Sequence, residues 1–166
     1  MLKIKIVINK FQINSLTKAK IFLRIFGFFI IPLIGYVRPS IKKLNNEECI
    51  VNIKLKRKTK NHLRSMYLAV LTMGADLSCG LIGLYHIQKS KKRISLIYKD
   101  LKSEFLKRPN GDVDFICTNG FEIEKIVRET IDTGERKNIL CTVNAICNGE
   151  LVCKFELTLS LKYLIN

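Results

Sequence analysis

Residues 61–87 read NHLRSMYLAVLTMGADLSCGLIGLYHI. The segment is almost wholly apolar and too long for an ordinary strand, so it predicts a long helix. It carries Ala69, Gly74, Ala75, Ser78, Gly80 and Gly83. Each glycine weakens a helix by roughly 1 kcal/mol relative to alanine. Several in one helix therefore point to a backbone that other chain segments approach closely. An antiparallel sheet curled around a central helix would supply that approach. Midway along lies Asp76, the one carboxylate of the segment. A buried charge is costly unless it is paired or has chemistry to perform. At about 3.6 residues per turn, Asp76 shares a face with Ala69, Thr72, Met73, Cys79, Gly80 and Gly83. That face has little bulk beside the carboxylate. Room for a ligand is the functional reading; an ion pair with a Lys or Arg across a dimer is the bland one.

The flanks supply the sheet. In EECIVNIKLKRK, residues 47–58, Val51, Ile53 and Leu55 alternate with Asn52, Lys54 and Lys56, which predicts a strand with one wet face. ISLIYKDLKSEFL, residues 94–106, predicts a long strand, bent or bulged between Tyr98 and Asp100 where the apolar phase shifts. DVDFIC is a short strand with Val113, Phe115 and Cys117 inward. Asn119 and Glu122 have capping-box spacing ahead of a helix that Gly134 stops. Ile139 to Cys147 and Leu151 to Tyr163 alternate cleanly around Asn148-Gly149, a two-residue hairpin turn.

Toward the N-terminus, residues 18–37 (KAKIFLRIFGFFIIPLIGYV) form the most hydrophobic stretch. Pro32 interrupts an apolar run already shorter than the roughly 20 residues a membrane span needs. GYVRPS is a poor signal-peptide cleavage site. A helix packed on the core or on a subunit interface is expected, with an interfacial membrane helix as the alternative. Residues 1–16 alternate only weakly. The expected organisation is an N-terminal extension over 1–17 and one domain over 18–166.

The 166-residue chain is long enough for one sizeable core. With 48% hydrophobic and 26% charged residues, the composition is that of a globular chain. The net charge of +15 favours anionic partners, although a sequence rich in Lys, Ile and Asn is also what AT-rich coding produces. The basic runs lack interleaved aromatic residues, which disfavours nucleic acid. Six cysteines without a Cys-x-x-Cys pair, and only two histidines, do not make a zinc arrangement. Reduced, buried thiols in a cytoplasmic setting are expected. Nothing in the residues calls for a cofactor, and no nucleophile-elbow pattern supports Ser-His-Asp chemistry.

The stretch NHLRSMYLAVLTMGADLSCGL, followed by ISLIYKDLKSEFLKRPNGDVDFIC and TGERKN, resembles the hotdog-fold family catalogued as domain of unknown function 4442, itself similar to the phenylacetyl-CoA type of acyl-CoA thioesterase. The resemblance covers residues from about 20 to 163. It implies an α+β hotdog fold: a five-stranded antiparallel sheet wrapped around the central helix, with the N-terminal helix as an addition. It further implies a homodimer joined edge to edge through the strand at 94–106, with a tetramer as a further possibility, and an acyl-CoA or other acyl thioester bound between subunits. In such thioesterases a carboxylate on the central helix activates water or attacks the thioester, while a backbone N–H at the helix start polarises the carbonyl. If Tyr67 takes the place of the motif histidine, Asp76 falls on the acid. The His-Gly-Gly of those enzymes is absent; Ser65, Met66, Tyr67 and Leu68 stand there. Asn61 resembles an asparagine that orders the substrate loop.

The candidate site is thus Asp76 as base or nucleophile, with Asn61, Ser65, Met66, Tyr67, Thr72, Met73 and Gly80 in substrate binding. Ser65 reads as the N-cap of the long helix, leaving N–H groups of Met66 and Tyr67 free as an oxyanion site; the alternative is an ordinary cap. His62 reads as an exposed loop residue. The basic runs 54–64 and 89–93 would suit coenzyme A phosphates, or form a solvated strand face and a helix end. A non-catalytic acyl-CoA or lipid-binding module and a peripheral membrane protein using residues 20–37 are the alternatives to an enzyme.

Overall fold

The computed structural model describes residues 15–164. Most of the expected extension, residues 1–14, lies outside them. The elements are α1 (Leu16–Phe29), α2 (Pro32–Val37), β1 (Ser40–Leu44), β2 (Cys49–Ile53), a 3-10 turn (Arg57–Thr59), α3 (Leu68–Ser90), β3 (Ile94–Phe105), β4 (Val113–Cys117), α4 (Gly120–Thr133), β5 (Lys137–Cys147) and β6 (Glu150–Tyr163). The strands form one antiparallel sheet in the order β1-β2-β4-β5-β6-β3.

The sheet has six strands, not the expected five. The extra one, β1, reads SIKKL and has a single fully buried residue, Ile41, with a register shift before Lys43. Lys42 and Lys43 both face solvent, so the two-residue period that betrays a half-buried strand is missing. The expected strand over 47–58 is shorter, because the chain leaves the sheet after Ile53 and turns at Arg57–Thr59. The shift of phase in β3 is a real irregularity, between Tyr98 and Asp100. Asn148 and Gly149 both take positive φ, 52° and 81°, as a tight hairpin turn requires.

The long helix forms as expected and is wrapped by the sheet. By length and composition α3 could cross a membrane, but most of its apolar window is buried inside this fold. An ideal Cβ at Gly74 would lie 2.2 Å from Cε2 of Phe115 on β4, so glycine is what lets the sheet close on the helix there. Val70, Leu71, Leu77, Leu81 and Ile82 of α3 are buried with Val51, Phe115, Val143, Phe155 and Leu157 of the sheet. Each such side chain contributes roughly 1.5–3 kcal/mol on burial.

The hydrophobic N-terminal segment is helical but not one helix. Pro32 has no N–H for a continuing helix, so it opens a second one as its first residue. α1 and α2 then fold back on each other with backbone against backbone. A Cβ on Gly35 would lie 2.5 Å from the Gly27 carbonyl oxygen. Asn119 is the N-cap of α4, but its side chain makes no cap bond; its Oδ1 accepts the Thr142 N–H of β5 at 2.8 Å. The expected capping box is therefore replaced by a helix-to-strand tie. Gly134 ends α4 in the left-handed region, φ 70°.

Candidate functional site

Asp76 lies two turns into α3 and is partly buried. It lines a cavity of about 670 Å³ between α3, α1 and the start of β3. Phe22, Leu23 and Phe26 of α1 and Leu77, Leu81 and Leu84 of α3 give this cavity its apolar walls. Lys91 and Lys92, just past the C-terminus of α3, line it as well. Fifteen residues of helix separate Asp76 from Lys91, so the cavity runs for about 22 Å along the helix axis.

Burial pushes the Asp76 carboxyl above its usual range, and hydrogen bonding from Tyr98 offsets part of that. No cation contributes, and Asp76 takes part in no ion pair among the described residues. The Tyr98 hydroxyl donates to the Asp76 main-chain oxygen at 2.6 Å. Gly80 makes room for this phenol, since a Cβ there would stand 3.0 Å from the Tyr98 oxygen. Burial holds the Tyr98 hydroxyl well above its ordinary pKa, so it remains a donor. Tyr98 and the aromatic wall of α1 were missed by sequence reasoning. The one signal for Tyr98 was its position at the bulge of β3, where a side chain is re-aimed.

Of the sequence-predicted residues, Asp76 and Gly80 line the cavity and Thr72 and Met73 do not. Thr72 bonds back to the Leu68 carbonyl at 3.2 Å, and Met73 is buried in the core. Asn61 and Ser65 sit together in the loop before α3. Asn61 Oδ1 accepts the N–H of Leu63 at 2.9 Å and of Ser65 at 3.2 Å, and Asn61 Nδ2 donates to Ser65 Oγ at 3.0 Å. Asn61 thus orders this loop.

Ser65 is not the N-cap of the long helix. The cap is Tyr67, with no side-chain cap bond, and the helix begins at Leu68. The reason is the loop itself: Ser65 is held by Asn61, and Met66 forms a bridge to Lys60. Nor are the N–H groups of Met66 and Tyr67 free. Met66 donates to Pro109 O at 3.0 Å and Tyr67 to Thr59 O at 2.9 Å. At the start of α3, the N–H groups without a partner among the described residues are those of Leu68 and Ala69. Both residues are exposed.

The two histidines are not placed to assist Asp76. His62 is exposed in the loop. His86 is ten residues further along α3, about 15 Å away. Its Nε2 bonds to the Asn46 carbonyl at 3.1 Å, and burial lowers its pKa. All six cysteines are buried free thiols. Among the described residues no group of three or more His, Cys, Asp or Glu side chains is placed to hold a metal ion.

A long helix wrapped by an antiparallel sheet is the hotdog fold. The chain belongs to the family described as a domain of unknown function (DUF4442), whose profile matches residues 18–161. Solved structures share the fold at low identity. A protein of unknown function from Chlorobaculum tepidum matches with TM-score 0.79 and 12% identity, over 90% of this chain and 98% of that one. A thioesterase from Haemophilus influenzae matches with TM-score 0.66 and 12% identity, over 92% and 93%. A variant of the phenylacetic acid degradation protein PaaI from Thermus thermophilus matches with TM-score 0.56 and 11% identity, over 78% and 97%. No curated protein matches the chain.

Proposed function

We propose that the protein hydrolyses an acyl thioester, such as an acyl-CoA, with Asp76 as general base or nucleophile. The observation that carries this is a partly buried carboxylate without a cation, on a residue that lines a 670 Å³ cavity with apolar walls. A cavity of that volume is ordinary for a small-molecule site, and its walls suit an acyl chain. Acting as base, Asp76 takes a proton from water as the oxygen adds to the carbonyl carbon. Collapse of the adduct breaks the C–S bond, and the thiolate leaves with the proton returned through Asp76 or solvent.

The developing oxyanion needs donors, and Leu68 and Ala69 N–H are the free ones. They lie about 12 Å from Asp76 along the same helix, too far to serve one carbonyl. A site shared between two copies resolves this, with Asp76 from one and the helix start from the other. β3 is a sheet edge of 12 residues, with Ile97, Leu101 and Phe105 exposed. Long unprotected edges invite pairing with another chain, and a two-fold axis there would join two sheets. Sedimentation at micromolar concentration should give twice the monomer mass. Ile97→Pro should yield monomer or aggregate and lose turnover. A monomer with full activity would sink the shared site.

The direct test is thiol release from acyl-CoAs of graded chain length. Asp76→Asn should lower turnover by about 100-fold or more, with the fold intact. A second reading is a non-catalytic acyl-CoA or lipid-binding module. Its support is the engagement of Met66 and Tyr67 N–H, where the enzymes' motif would offer donors. Acyl-CoA bound tightly and recovered intact would favour it.

A further inference from the structure

The hairpin of α1 and α2 has two apolar faces. Phe22, Leu23, Phe26 and Ile34 point into the cavity. On the other face Phe28 is 74% exposed, Phe29 71%, Leu33 58% and Tyr36 60%. The two phenylalanine rings pack edge to face, 4.8 Å between centroids, at the tip of the hairpin. An exposed patch of this kind marks an interaction surface rather than ordinary surface. The backbone contact of Gly27 with Gly35 fixes the hairpin's shape, so the patch is presented rigidly.

Beside it lies a hollow of about 690 Å³ lined by Arg24, Arg38, Lys54 and Lys56, together with Phe28. Lys58 completes the cluster. Its ammonium bonds to the Tyr36 carbonyl and sits 5.1 Å from the centre of the Tyr36 ring. None of these five cations is in an ion pair among the described residues. Their crowding shows in Lys58, whose pKa is lowered by burial and then by Arg38, Lys56 and Arg24. The sequence has no Asp or Glu before Glu47. Like charges that repel each other without a counter-ion await an anionic partner.

We propose that the α1–α2 hairpin docks the protein on an anionic lipid bilayer, with Phe28, Phe29 and Leu33 at the headgroup–acyl boundary and Arg24, Arg38, Lys54 and Lys56 on lipid phosphates. A second copy of the chain fits this face poorly. A two-fold contact sets a patch against itself, which here would bring the two cation clusters together. A bilayer supplies apolar depth and negative charge side by side, the pair of signals that stable peripheral attachment needs. The inference is independent of the reaction assigned to Asp76.

The chain has no tryptophan, so Phe29→Trp places a single fluorophore at the tip with little change of bulk. With the full chain, adding vesicles of phosphatidylcholine and phosphatidylglycerol should shift its emission to the blue. Pure phosphatidylcholine should not, and salt should reverse the shift. The unlabelled protein should pellet with the anionic vesicles. Phe28→Ser/Phe29→Ser should weaken that binding about tenfold or more, and Arg38→Gln/Lys56→Gln should weaken it too. Thermal midpoint and sedimentation coefficient should stay as in wild type. Unshifted emission, binding that survives either double substitution, or a wild-type oligomer that dissociates when Phe28 and Phe29 are replaced would each overturn the proposal. The last outcome would make the face a contact between copies.

Discussion

Gly74→Ala tests the closure of the sheet on α3. The added Cβ would stand 2.2 Å from Phe115 Cε2, 2.4 Å from Cδ2 and 2.4 Å from Cζ. Carbon atoms pack at about 3.5 Å or more, so the ring or the helix has to retreat by roughly 1.3 Å. Phe115 has no exposed surface, and its strand neighbours Val51 and Ala145 are equally buried. There is no slack on the far side. Overpacking of this kind costs about 1–3 kcal/mol, and the severity of the overlap places it at the upper end. Alanine regains about 1 kcal/mol of helix propensity over glycine. The net expectation is a loss of about 2 kcal/mol, or about 4–8 °C in Tm for a chain of this size. Circular dichroism melts at fixed protein concentration measure it, since self-association makes Tm depend on concentration. Phe115→Leu shortens the ring and should be far less harmful in the Gly74→Ala background than in the wild type. The double-mutant cycle should then show coupling of about 1 kcal/mol or more. A Tm at or above wild type for Gly74→Ala, or a strictly additive cycle, would refute the account.

Asp76→Asn should raise Tm at neutral pH, because the raised carboxyl pKa means that burial penalises the ionised form. The wild type carries no such penalty below the unfolded-state pKa and acquires it as pH rises through the folded-state pKa, so the two melting curves should converge on acidification. A lower Tm for the Asn variant at neutral pH would instead reveal a cation partner for Asp76. Ser65→Ala should cost about 1–3 kcal/mol by leaving Asn61 Nδ2 without its acceptor; an unchanged denaturation midpoint would discount the loop network. The six thiols should resist Ellman's reagent in the native protein at mildly alkaline pH and titrate fully in denaturant. Burial holds them back, with Cys153 pushed up to about 12; rapid reaction of any thiol before unfolding would contradict that.

The parts of the fold legible in the sequence are those where burial imposes a period. β5 and β6 alternate because one face is buried against α3 and α4 and the other is turned outward, and Asn148-Gly149 has the backbone freedom the hairpin needs. α3 announced itself through length and small residues, and Gly74 and Gly83 do meet side chains of the sheet, Phe115 and Leu96. β1 escaped because an edge strand with a bulge and two outward lysines has no period to read. Of the residues picked from the sequence, only Asp76 and Gly80 line the cavity. Asp76 stands out by being costly where it is. The residues expected around the helix start were chosen by proximity along the chain, and hydrogen bonds decide that region instead. Met66 and Tyr67 donate their N–H groups to Pro109 and Thr59, residues that no local pattern could have brought to them. The cavity has the same character. Phe22 and Phe26 come to line the same cavity as Asp76 through the hairpin in which Pro32 turns the chain and Gly27 meets Gly35. A sequence shows the cost of a buried charge at once. The company that charge keeps is set by long-range packing, so the acid could be picked from the chain while its cavity had to be found in the fold.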